Sequence, residues 1–166
     1  MSIRQRVIDN GYSERLDAIR EMNRLFTKVG FPENGTPEEP TRKGSGHDMT
    51  NQMSEIITVA AVQEFGAPYK GIPERPFVRT SFDDNYDALQ EFKKKEASLV
   101  IQGKQSAMTA IQKIGEWMTN KTKLKINSNI PPELADETIK RKRSTRTLID
   151  TAQMLNSVQH EESYVK

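Results

Sequence analysis

Hydrophobic residues recur at three- and four-residue intervals in three stretches of the chain, and this spacing is typical of one face of a helix. The first stripe predicts a helix that follows the N-cap candidate Ser13 and ends near Gly30. The second predicts a long helix to Gln102, interrupted by Gly103, and the third a helix from about Gln105 to Ile126. The stripes are Leu16, Ile19, Met22, Phe26 and Val29; Phe82, Tyr86, Leu89, Phe92, Leu99 and Val100; and Ala107, Ala110, Ile111, Ile114, Trp117 and Met118.

Other stretches lack this spacing. The β-branched, apolar run from Ile56 to Phe65 predicts a mostly buried strand that ends at Gly66, and a second strand is expected near Thr27 to Phe31. Residues 31–51 are rich in proline, glycine and charge, which predicts a flexible loop that orders on contact with a partner. Short helices are expected over 135–142 and after Thr151, whereas the pattern of Ser157 to Tyr164 leaves strand and irregular structure equally open.

The segment Gly71 to Phe82, which we call the proline corner, contains Pro73 and Pro76. Each proline fixes its own φ and pushes the preceding residue toward extended geometry, so a stiff, extended corner is expected. Phe77 and Phe82 then serve as hydrophobic anchors. On an extended chain Arg75 and Arg79 point to the same face, where they can grip carboxylates of an adjacent subunit.

Three short runs in this order resemble the neck and tail-completion proteins of long-tailed bacteriophages. The runs are Glu64-Phe65-Gly66, then Gly71-Ile72-Pro73-Glu74-Arg75-Pro76-Phe77-Val78-Arg79, and finally Leu148-Ile149-Asp150-Thr151. The resemblance extends loosely from Val29 to the C-terminus, and it departs from the family at Ala152, where a glycine is usual. It implies a C-terminal strand and a ring of copies of the chain. Together with Phe82, the residues that it marks as assembly contacts are Glu64, Phe65, Gly66, Gly71, Ile72, Pro73, Arg75, Pro76, Phe77, Arg79, Leu148, Asp150 and Thr151.

Length and composition favour one domain over the 166 residues. Within it we distinguish an N-terminal helix region (1–30), the flexible loop (31–51) and the sheet and helices (52–166). The expected class is α+β, a small and mostly antiparallel sheet packed by two long helices. Only 34% of the residues are hydrophobic, so neighbouring subunits are expected to complete part of the core.

Known catalytic patterns are absent from the sequence. There is no cysteine, His47 and His160 fit no ligand motif, and neither a P-loop nor a dinucleotide fingerprint occurs. We therefore expect no enzymatic activity, no cofactor and no metal. No apolar run has the length of a signal peptide or a membrane span, which predicts a chain that does not contact a membrane.

Positive charge is concentrated between Lys121 and Arg146, where eight basic residues face three acidic ones, a local net charge of +5. Such a cluster attracts phosphate backbones, although no aromatic residue lies among these charges to stack on bases. A solvated helix end or a salt-bridging subunit face explains the same charges. The candidates for contact with DNA or an acidic partner are Lys140, Arg141, Lys142, Arg143 and Arg146.

The resemblance implies a structural protein of the virion, made in the host cytoplasm. The resemblance implies a ring, six copies being the expected number, that joins or caps the tail at the head connector and leaves a channel for DNA. Its partners would be copies of itself, the head connector or adaptor, and the tail terminator or tail tube proteins. The alternative is a DNA-binding accessory protein that uses the basic region 121–146.

Overall fold

The structure, a computed structural model, describes residues 11–31, 49–133 and 153–165. Over these residues helices dominate, and two short strands come from opposite ends of the chain. The elements are α1 (Tyr12–Arg24), β1 (Leu25–Gly30), α2 (Met49–Phe65), a 3-10 turn (Pro68–Lys70), α3 (Phe77–Asp84), α4 (Tyr86–Ile101), α5 (Ala107–Asn127), α6 (Gln153–Asn156) and β2 (Gln159–Tyr164). The predicted α+β class is confirmed.

β1 and β2 form an antiparallel pair whose register runs from Leu25 opposite Tyr164 to Gly30 opposite Gln159. Helix α5 packs closely on this pair at Gly115. A Cβ atom at Gly115 would lie 2.5 Å from Thr27 Oγ1 and 2.8 Å from the His160 ring, distances that no real side chain tolerates. Glycine therefore allows the helix to approach the sheet, and the predicted C-terminal strand is confirmed.

The long helix α5 organises the hydrophobic core, because its buried residues contact the sheet and helices α1, α3, α4 and α6. Its C-terminal half, through Ile126, packs into a cluster with Phe77 of α3 and Val158 before β2. Its middle packs against α4, where the rings of Phe92 and Trp117 stack with centroids 5.7 Å apart. The predicted helix over 105–126 is confirmed.

The run Ile56 to Phe65 is the C-terminal part of helix α2, so the predicted strand is wrong. Its most buried residues are Ile56, Ala60 and Glu64, which lie four positions apart on one helical face. A short apolar, β-branched run does not by itself distinguish a buried strand from a helix. Here the helix starts earlier, at Met49, in a stretch that the sequence assigns to the loop.

Two further helix boundaries differ from the prediction. α1 ends at Arg24, so that Phe26 and Val29 belong to strand β1, as the competing strand prediction near Thr27 requires. The predicted long helix to Gln102 is two helices separated at Asn85, whose side-chain amide donates a hydrogen bond to the Ser81 carbonyl at 2.8 Å. Asparagine favours such local bonds over helix continuation. The predicted interruption at Gly103 is confirmed, with φ of 70°.

Several predictions fall outside the described residues: the flexible loop over 32–48, the short helix over 135–142, and the run Leu148 to Thr151. Among the helices that the structure describes, none has the length and apolar character needed to cross a membrane.

Candidate functional site

The proline corner is extended only as far as Pro76. Pro76 lies at the N-cap of α3 with φ of −72° and ψ of 91°, and the helix begins at Phe77. The expectation of an extended segment to Phe82 is therefore wrong. A proline at a helix start costs no hydrogen bond, because the first amides of a helix have no partner within it.

The amides at the start of α3 are capped by Glu64, the penultimate residue of α2. The Val78 amide donates to Glu64 Oε2 at 2.8 Å and the Arg79 amide to Glu64 Oε1 at 3.1 Å. Pro76 provides no capping side chain, so the Glu64 carboxylate supplies what the local sequence lacks. A negative charge at this point also suits the positive end of the helix dipole. Glu64 thus joins α2 to α3.

Arg79 strengthens the same junction from the surface. Its Nε donates to Glu64 Oε1 at 3.0 Å, and its terminal nitrogen donates to the Glu64 carbonyl at 2.8 Å. The hydrogen bond to the Glu64 carboxylate raises the pKa of Arg79 above its usual value. The Arg79 side chain remains 51% exposed, with its guanidinium carbon 5.3 Å from the centre of the Phe65 ring. It is therefore charged, held in place and reachable from solvent.

Arg75 is buried, at 4% exposure, and its partners are backbone and side-chain groups of its own chain. Its Nε and a terminal nitrogen donate to the Pro132 carbonyl at 3.0 and 2.8 Å, and its backbone amide donates to the Gln63 carbonyl at 2.7 Å. Burial lowers the pKa of Arg75. The predicted shared face of Arg75 and Arg79 is wrong, because Arg79 lies on a helix. In this fold Arg75 ties the corner to the segment after α5.

At the end of α2 the chain makes a tight turn, Phe65 to Pro73, which we call the aromatic turn and which overlaps the proline corner from Gly71 to Pro73. Ala67 and Ile72 exchange backbone hydrogen bonds of 2.8 and 3.1 Å across its base. Gly66 has φ of 71°, and a Cβ atom there would lie 2.8 Å from the Glu74 amide nitrogen. Gly71 also has positive φ, 66°, but open space surrounds it. Only glycine fits the first position without displacing backbone.

The aromatic turn holds two large rings in solvent. Phe65 is 66% exposed and Tyr69, at the tip, is 83% exposed. An open pocket of about 350 Å³ lies on this surface, lined by Phe65, Gly66, Pro68, Gly71, Ile72, Pro73 and Glu74. Exposed aromatic rings on a backbone held by glycine geometry and buried contacts are typical of a protein-binding surface.

The anchors of the corner separate into one buried and one exposed ring. Phe77 has 0% exposure, which confirms its predicted burial, and packs edge-on against Phe31 with ring centroids 6.1 Å apart. Phe82 is 37% exposed, so it is buried only in part. Five positions separate the two residues, which places them on different sides of α3.

The structure therefore brings together most of the residues selected from the sequence. Glu64 to Gly66, Gly71 to Pro73 and Arg75 to Arg79 form one continuous junction between α2 and α3. Sequence reasoning missed Tyr69 and Pro68, although a Pro-Tyr-Lys-Gly run is a turn signal that carries an aromatic residue. Leu148, Asp150 and Thr151 lie outside the described residues.

The described part of the basic region is the end of α5. Lys125 Nζ lies 2.7 Å from Asp84 Oδ2, and Lys121 Nζ lies 5.1 Å from the centre of the Trp117 ring. Both lysines thus have contacts within the chain. Lys140, Arg141, Lys142, Arg143 and Arg146 lie outside the described residues, so the contact predicted for them stays a prediction.

His160 lies on strand β2, and its ring faces α5. Its Nδ1 is 3.4 Å from Thr119 Oγ1 and its Nε2 is 3.5 Å from Glu162 Oε1. Thr119 is only 7% exposed, so a substrate has no access to its hydroxyl. The contact between Thr119 and His160 instead packs α5 on β2. Over residues 11–31, 49–133 and 153–165, no cluster of histidine and acidic residues has the arrangement of a metal site.

Comparisons with protein-family models, with curated proteins and with solved structures find no match to this chain.

Proposed function

We propose that this chain is a non-enzymatic structural protein of a bacteriophage virion, of the neck or tail-completion type. It forms a ring that joins or caps the tail at the head connector and leaves a channel for DNA. The observation that carries the proposal is the aromatic turn, because it exposes Phe65 and Tyr69 on a backbone that Glu64 and Gly66 hold in one geometry.

A rigid turn of this kind suits assembly, since association costs less when the contacting groups are already ordered. The backbone of the turn is ordered by the Ala67–Ile72 bridge and by the cap on α3. Aromatic side chains contribute disproportionately to protein interfaces when a partner covers them. Arg79, half exposed beside Phe65, already pairs with the carboxylates of Glu64 and Glu74, and its side chain adds polar contact area at the edge of this surface.

The sequence resemblance points to the same place. Two of its three runs, residues 64–66 and 71–79, fall on the aromatic turn and the start of α3. A ring forms if this surface of one subunit contacts a different surface of the next. Repeating such a contact returns to the first subunit when a whole number of equal rotations makes one full turn. The same surface can instead meet the head connector or the tail tube.

The experiment is complementation of a phage from which the gene has been deleted. Phe65→Ala/Tyr69→Ala protein supplied from a plasmid is expected to leave heads and tails separate in electron micrographs, because the turn keeps its backbone but loses both rings. Tyr86→Ala is the matched control, since Tyr86 is 61% exposed but lies on α4. Normal joining by the double variant would contradict the role of the aromatic turn.

A further inference from the structure

Strands β1 and β2 each keep one edge without a strand partner among the described residues, since the sheet has two strands. Such edges present rows of backbone donors and acceptors that can pair with another chain. One hydrogen bond, which the Val165 amide donates to the Arg24 carbonyl at 2.7 Å, shows which backbone amides and carbonyls point toward these edges.

In an antiparallel pair, opposed residues alternate between those that exchange backbone hydrogen bonds and those that do not. Arg24 and Val165 are a bonded pair, so the register makes Lys28 and Glu161 a bonded pair as well. Leu25, Thr27 and Val29 then direct their amides and carbonyls away from β2, and His160, Glu162 and Tyr164 direct theirs away from β1. The Leu25 amide donates to the Met22 carbonyl at the end of α1, whereas Thr27, Val29, His160, Glu162 and Tyr164 make no backbone hydrogen bond outside the sheet to another described residue.

The two edges carry opposite charge. β1 has one charged residue, Lys28, whereas β2 has Glu161 and Glu162. Lys28 and Glu161 are both exposed and share the face of the sheet opposite α5, because Thr27 and His160 are the residues that meet Gly115. An antiparallel β2–β2 contact between two copies in the register that places Glu161 opposite Glu161 would bring two like charges together, which is unfavourable.

We propose that the outer edge of β1 in one copy pairs with the outer edge of β2 in the next copy, antiparallel and in the register found within the chain. Each Lys28 then lies between two Glu161 residues, one of its own copy and one of its neighbour. The contact is head to tail, so repeating it generates a ring with a continuous sheet. This inference rests on the proposed ring and names the sheet edges as the surface through which its copies meet, so that the aromatic turn contacts the head connector or the tail tube instead.

The test uses the absence of cysteine from the chain. Lys28→Cys and Glu161→Cys proteins are purified separately, mixed and oxidised, so that no intrachain disulfide can form. In the proposed pairing, residues 28 and 161 of adjacent copies lie opposite each other without exchanging backbone hydrogen bonds. Their Cα atoms are then about 4.5 Å apart, a distance that a disulfide can span. We expect a 28–161 heterodimer about tenfold or more above a control mixture, because paired edges raise the effective thiol concentration.

The control replaces Lys28→Cys by Lys94→Cys, which is equally exposed but lies on α4. A heterodimer no more abundant than in the control, or products dominated by 28–28 and 161–161 dimers, would overturn the inference. In that case Lys28 and Glu161 act as charges that block edge pairing. Rings seen by electron microscopy without the 28–161 disulfide would contradict this interface and leave the proposed function intact.

A second variant tests the backbone directly. Val29→Pro removes an amide that points outward and makes no backbone hydrogen bond to another described residue, so its circular dichroism spectrum should match that of the parent protein while self-association measured by light scattering is lost. A Val29→Thr protein, which keeps the amide and the β-branched shape, should associate normally. Unchanged association of a folded Val29→Pro protein would contradict the proposed pairing.

Discussion

Replacing Phe77 with alanine tests whether the start of α3 is anchored in the core. The ring is completely buried, in a cluster with Ala60, Ile126 and Val158, and its edge-on partner is Phe31. Truncating a buried phenylalanine to alanine costs about 3 to 5 kcal/mol, a range that includes the cavity left behind. For a domain of this size this corresponds to a fall of roughly 2 M in the urea midpoint, at a slope of about 2 kcal/mol per molar.

The measurement is urea unfolding followed by circular dichroism, with Phe82→Ala as the matched control. Phe82 belongs to the same helix and has the same side chain, but 37% of it is exposed. Its truncation should cost less than about 1.5 kcal/mol, because much of its surface stays in water in the folded state. Equal shifts for the two variants would refute the assignment of Phe77 to the core and Phe82 to the surface.

Three further predictions concern the turn, the cap and the basic region. Gly66→Ala should lower the free energy of unfolding by more than Gly71→Ala, for which the positive φ alone costs roughly 1 to 2 kcal/mol. The reason is that only a Cβ atom at position 66 would clash with backbone atoms. Equal melting temperatures of the two variants would contradict this. Glu64→Ala should cost about 1 kcal/mol or more through loss of the α3 cap, measured by urea unfolding, and an unchanged midpoint would disprove the capping role. If the DNA-binding alternative holds, salt-dependent retention of duplex DNA should fall when residues 140–143 are replaced by alanine; no retention by the parent protein would exclude it.

Periodicity predicted those parts of the fold in which one face of an element is buried. The stripe from Ala107 to Met118 specified α5, because its apolar residues recur with the helical repeat. It did not specify α2. There the β-branched Ile57 and Val59 follow the buried Ile56 so closely that the segment resembles a buried strand. The four-residue spacing of Ile56, Ala60 and Glu64 was the available signal, but a buried glutamate is hard to anticipate.

The candidate site was located but not explained by the sequence. Two prolines and the neighbouring glycines marked a rigid corner, and the structure places a tight turn and a helix start there. The roles of the charged residues could not be predicted, because Arg75 binds the Pro132 carbonyl, 57 positions away in the sequence. The exposure of Tyr69 likewise depends on a bridge between Ala67 and Ile72 that no local pattern specifies.

We propose above that this chain joins heads to tails as a structural part of the virion. The most direct measurement is an electron-microscopic count of joined particles, free heads and free tails from a phage lacking the gene, with and without the gene supplied from a plasmid. We expect free heads and free tails in the absence of the gene, and joined particles when it is restored. Infectious, joined particles formed at the normal frequency without the gene would contradict it.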